Sequence, residues 1–94
     1  ELESGGELLA LEMTQAANNL DEALLERRLA DTSMEAAEEN LRMSRRQYEA
    51  GLETLSDYLE AQAVWQQASR TQVEARIGSY LRWLEYRKAA GLLD

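Results

Sequence analysis

The chain has 94 residues and a net charge of −8, with no Pro, Cys, His or Phe and only 5 Gly. Without His or Cys it holds no Ser-His-Asp or Cys-His nucleophile and no tetrahedral zinc site, so any active site would have to be built from carboxylates, hydroxyls and Lys or Arg, and the expectation is a chain that is no enzyme. An acidic balance argues against a nucleic-acid binder, whose affinity for phosphates comes from clustered Lys and Arg. Missing Cys is compatible with a reducing or an oxidising compartment. The longest charge-free stretch, Ala61 to Ser69, is nine residues, against about 20 apolar residues for a membrane-spanning helix. No basic or apolar leader stands at the N-terminus, so the expectation is a chain that begins inside a mature protein or is cytosolic.

Lack of Pro, with Ala, Leu, Glu, Gln and Arg dominating, predicts an all-α chain with very few turns. The first helix is expected from about 7 to 50, or from Leu2 if Gly5 and Gly6 are tolerated inside it. Its stop is Gly51, which follows Arg45, Arg46 and Tyr48 and suits the position just past a helix C-terminus. A turn over about 51–54 follows. Thr54 or Ser56 supplies the next N-cap, and Thr54 with Asp57 has capping-box spacing, Asp replacing the usual Glu or Gln. The second helix then runs from about 55 to 90, with Arg87 and Lys88 in its last turn and Gly91 as its stop. At 1.5 Å per residue the arms are roughly 55 to 65 Å long, well beyond the usual helix of about 11 residues.

Apolar periodicity says how the arms pack. Alternating steps of three and four from Met13 give Met13, Ala16, Leu20, Ala23, Arg27, Ala30, Met34, Ala37, Leu41, Ser44 and Tyr48. This is a heptad seam, broken at Arg27, that sets a large residue against a small one. The second arm carries a matching stripe, Tyr58, Ala61, Trp65, Ala68, Gln72, Ala75 and Ser79. It also carries another: Leu55, Leu59, Gln66, Val73, Ile77, Tyr80, Leu84 and Arg87. A short connection forces the arms to be antiparallel neighbours, so the fold is an antiparallel two-helix coiled-coil hairpin. Two stripes on one helix ask for two neighbours, and a lone hairpin supplies one. The isolated chain is therefore expected to be marginal or to oligomerise.

Residues 37–91 also resemble a known family. Ala-Glu-Glu-Asn-Leu at 37–41, Tyr48-Glu49-Ala50-Gly51 at the turn, Thr54, Asp57-Tyr58-Leu59-Glu60-Ala61-Gln62 and a closing Ala90-Gly91 are similar to the second periplasmic helical hairpin of the TolC family of outer-membrane efflux proteins. Residues 7–36 fit the helix leading into it more loosely. The resemblance implies a fragment of a larger protein, a homotrimer in which a β-barrel crosses the outer membrane and long helices form a tunnel through the periplasm. It implies as partners a periplasmic adaptor and an inner-membrane pump, together exporting drugs, toxins or metal ions, with no cofactor or metal in the hairpin. Barrel strands of about 10 alternating residues are absent from this sequence.

Carried over residue by residue, the resemblance places Gly51, Leu52 and Thr54 at a tip that contacts the adaptor. Asp57 and Glu60, with Tyr48, fall at the channel entrance, where three-fold symmetry would gather the acids into rings that filter charge. Each also has a plainer structural role: Gly51 ends a helix, the acids favour a helix N-terminus, and Tyr48 is the last large knob of the seam. One departure concerns position 53, where some members of the family carry a cation that ties hairpins together and this chain has Glu53; either the closing network differs or Arg45 or Arg46 supplies the cation. Trp65 and Trp83 read as packing residues. Two other function classes remain in view. A generic coiled-coil scaffold predicts the same stripes without the acids and Tyr around the turn. A di-iron carboxylate bundle needs Glu-x-x-His, and His is absent.

Overall fold

The computed structural model describes the backbone of residues 2–93 and the side chains of residues 5–91. Among the described residues there are two α-helices and no strand: α1, Leu2–Glu49, and α2, Leu55–Leu93. Gly5 and Gly6 lie inside α1, so of its two expected starts the helix takes the one at Leu2. A glycine costs a helix interior about 1 kcal/mol relative to Ala, and good helix formers on the C-terminal side carry it. Gly91 does not stop α2 either, since the helix runs on through it to Leu93. Glycine permits positive φ without requiring it, and Leu92 and Leu93 favour propagation. Arg87 and Lys88 consequently fall short of the last turn, where no basic residue is found.

Gly51 behaves differently. At φ 76° it is the positive-φ residue among those described, and the hydrogen bonds around it form a complete Schellman motif. The Leu52 N–H donates to the Gln47 carbonyl at 2.8 Å and the Gly51 N–H to the Tyr48 carbonyl at 3.0 Å. These two bonds close the carbonyls that a helix end leaves open. Three residues later Thr54 caps α2: its Oγ1 accepts the Asp57 N–H at 3.1 Å, while the Thr54 N–H reaches Asp57 Oδ2 at 3.5 Å. The reciprocal pair is a capping box with Asp in the acidic position. α2 begins at once, with the Tyr58 N–H on the Thr54 carbonyl at 3.1 Å.

The helices form two packed units. In the unit Arg28–Glu74, Ala30, Met34, Ala37 and Ser44 of α1 and Ala61 of α2 are buried, with Leu41, Tyr58, Trp65, Ala68 and Gln72 half-buried. These are the seam positions. Small residues bring the backbones close, and Met34 fills the space between them, worth about 1.5–3 kcal/mol for a side chain of its size. Gln72 interrupts the apolar stripe, but its Nε2 donates to Asp31 Oδ1 of α1 at 2.8 Å, so the polar group is satisfied.

The other unit takes residues up to Arg27 from α1 and from Ala75 onward from α2. Here Ala23 and Ser79 are buried and Met13, Ala16, Leu20 and Ala75 half-buried. The Ser79 hydroxyl donates to the Arg76 carbonyl at 2.9 Å. Arg27 is exposed, so at its one charged position the seam turns the side chain out to water. Trp83 stays exposed, and its ring contacts come from its own helix: Tyr80 stacks on it at 6.0 Å and the Arg87 guanidinium lies 5.4 Å from the ring centroid.

The second α2 stripe has no such partner. Leu55, Leu59 and Val73 in the first unit and Ile77, Tyr80 and Leu84 in the second are 40% to 59% exposed. α2 thus seals one apolar stripe against α1 and leaves the other in water.

Candidate functional site: the turn and its two flanks

The residues around the turn are placed by the two caps. Because Thr54 fixes the start of α2, Asp57 stands at the third helical position and Glu60 one turn later, on the same face. Glu53, just before the cap, turns back toward α1, where the buried Ser44 hydroxyl donates to its Oε2 at 2.9 Å. Asp57, Glu60 and Glu53 therefore line one concavity of about 220 Å³, completed by Asn40, Ser44, Ala61 and Val64. Asn40 and Val64 continue into a larger groove of about 520 Å³, walled by Ser33, Ala36, Ala37, Gln67 and Ala68. Among the described residues no three carboxylates converge as a metal centre would require.

Asp57 and Glu60 are thus brought together as their spacing implied, and a third acid joins them. Glu53 read from the sequence only as a departure from a pattern. The signal that could have found it is the spacing 53, 57, 60, four and then three, with a polar Ser44 where the seam calls for an apolar residue. Tyr48 does not line this concavity. Its ring stacks on Tyr58, with centroids 5.3 Å apart and planes 17° from parallel.

The Tyr58 hydroxyl accepts a long hydrogen bond, 3.4 Å, from Arg45 Nε. That bond, aided by the Arg45 charge and by Gln62, holds the Tyr58 phenol below its ordinary pKa, against an opposing desolvation and the nearby Glu49 carboxylate. Arg45 is raised in turn, first by the same bond. With Glu38, Leu41, Arg42 and Trp65 it lines a separate groove. On α1 these flank residues follow seam positions by one, as Glu38 follows Ala37 and Arg42 follows Leu41, whereas Asn40 and Ala36 precede them. The arginine side and the acidic side are therefore opposite flanks of the unit. Arg42 pairs with Glu39 at 2.7 Å, not with Glu38, and this holds the Glu39 carboxyl below its ordinary range.

At the apex Leu52 is 81% exposed, the most open large apolar side chain of those described. Its N–H and that of Gly51 are consumed by the Schellman bonds, and the Thr54 hydroxyl by the cap. What the turn offers a partner is therefore an apolar side chain, not those donors.

A family model described as outer membrane efflux protein matches residues 2–91. The chain belongs to the outer membrane efflux protein family. No curated protein and no solved structure matches it. The match takes in both helices and the turn, wider than the closest part of the TolC-like resemblance, and it places the chain in a family of transport channels. As an outer membrane efflux protein it is a duct segment built of helix. No helix among the described residues is long and apolar enough to cross a membrane.

Proposed function

We propose that the chain is a wall segment of the periplasmic tunnel of a trimeric outer-membrane duct, working with a periplasmic adaptor and an inner-membrane pump. The observation that carries this reading is the state of α2, which has one stripe sealed against α1 and a second, from Leu55 to Leu84, exposed. A helix in a closed wall needs a neighbour on each side. In a family of efflux channels the exposed stripe is where the next helix of the wall packs. The tip residues Gly51, Leu52 and Thr54 meet the adaptor, with Leu52 as the apolar knob. Asp57 and Glu60 face the channel entrance, with Tyr48 nearby, and repeated by symmetry they favour cations over anions.

Two experiments on the parent protein test this. Extracted in detergent, it should be a trimer containing β-strands; a soluble parent without strands ends the duct reading. In a planar bilayer, Asp57→Asn with Glu60→Gln should lower the cation-over-anion permeability ratio by about tenfold, the low end for a focused field. Asn keeps an acceptor for the Thr54 N–H, so the cap survives. An unchanged ratio would move the acids off the entrance and leave the trimer untouched.

A further inference from the structure

We propose that Tyr48 and Tyr58 form an oxidative cross-linking site, at which peroxide acting through a haem peroxidase joins the two rings into a dityrosine that ties α1 to α2 beside the turn. The rings belong to different helices, lie 5.3 Å apart by centroid and are within 17° of parallel. At that separation the two rings are held side by side by their helices, so two phenoxyl radicals meet without a diffusive encounter. Tyr48 is 38% exposed, open to an oxidant, and Arg45 donates to the Tyr58 oxygen. That contact holds Tyr58 below its ordinary pKa, and a phenolate yields an electron more readily than a phenol. Neither of the other tyrosines has this arrangement, since Tyr80 stacks on Trp83 and, among the described residues, no ring stacks on Tyr86. The sequence has no Cys to intercept the radicals.

The chemistry balances without a further reactant. Each phenol loses one electron and one proton, the two ortho carbons bond, and each ring regains aromaticity as its ortho hydrogen moves to oxygen. Hydrogen peroxide takes up the two electrons and two protons and leaves as two waters. The product links positions 48 and 58 across a turn already closed by its hydrogen bonds; the rings swing out of their stack to join two ortho carbons, and the new bond ties α1 to α2.

The full chain treated with limiting hydrogen peroxide and a haem peroxidase tests the proposal. The expected product is a monomer lighter by two hydrogens, with dityrosine fluorescence and a linked peptide joining residue 48 to residue 58. Tyr48→Phe and Tyr58→Phe should each lower monomer dityrosine by at least about tenfold, a modest share of what contact geometry gives an intramolecular step. The double variant Tyr80→Phe with Tyr86→Phe should leave it unchanged. A link that maps to Tyr80 or Tyr86 overturns the proposal. So does dityrosine confined to covalent dimers, or oxidation that stops at an added oxygen on the exposed Met43.

Discussion

Side chains of α1 near the turn are held by partners in the turn and on α2, and the partners are of unequal kinds. Ser44 is buried and gives its hydroxyl to Glu53, while Arg45 is exposed and gives its Nε–H to Tyr58. The second contact has a consequence in solution. Arg45 remains charged at any accessible pH, so its bond to Tyr58 strengthens when the phenol ionises, and the folded pKa is lowered from the ordinary value of 10.0. A group depressed in this way adds stability above its unfolded pKa and loses it as pH falls through the folded one. The added stability is therefore absent at neutral pH and appears only as the solution becomes alkaline. An absorbance titration of the phenolate should lose its earliest-ionising step in Tyr58→Phe, and Arg45→Gln should move that step to higher pH. A titration curve that Arg45→Gln leaves unchanged would contradict the contact.

Across elements, the turn was legible in the sequence because every part of it has its own residue type. Gly51 is the residue that adopts φ 76° without strain, and Thr54 and Asp57 have the spacing of a reciprocal cap. The other glycines carried no such information. Gly91 reads as the end of α2 yet lies inside it, and of the two starts that Gly5-Gly6 leave open for α1 the structure takes the longer, because glycine lets a chain turn without compelling it. That asymmetry predicts opposite signs for one substitution. Gly51→Ala places a Cβ in open space, with nothing within 4 Å, so it meets only the backbone penalty of the left-handed region, about 1–2 kcal/mol. Gly78→Ala also meets nothing within 4 Å, and in a helix interior it should stabilise by about 0.5–1 kcal/mol. Thermal unfolding followed by far-UV circular dichroism should shift down for the first and up for the second. Equal shifts would mean that the conformation at Gly51 is not what makes the turn. Glu53 is the complementary case: the direction it takes from the turn depends on Ser44, nine residues back in α1, and no local rule reports a contact of that kind.

For the molecule as a whole, the decisive quantity is how little the chain covers of its own apolar surface. Among the described residues the buried hydrophobics are Ala23, Ala30, Met34, Ala37 and Ala61, four of them alanine. Leucine, valine and isoleucine side chains are instead among the exposed ones, on α1 as well as along the second stripe of α2. Each large side chain brought out of water is worth about 1.5–3 kcal/mol when fully buried, more than the alanine seam offers at any one position. The periodicity of α2 foretold this, since two stripes on one helix can be read from spacing alone; which stripe α1 would cover was set by the small residues, Ala61 and Ala68, that admit a close approach. The isolated chain should therefore associate in a concentration-dependent way, through the stripe that α1 leaves open. Leu59→Gln with Val73→Gln removes two half-exposed members of that stripe without touching the seam. With roughly 1.4 kcal/mol corresponding to a factor of ten, and each side chain losing at least about that much on exposure, association should weaken about a hundredfold. Sedimentation across a concentration series measures it, with circular dichroism showing that helix content is kept. Association that survives the double variant would place the contact on another face, and the packing of α2 against a second neighbour would lose its support.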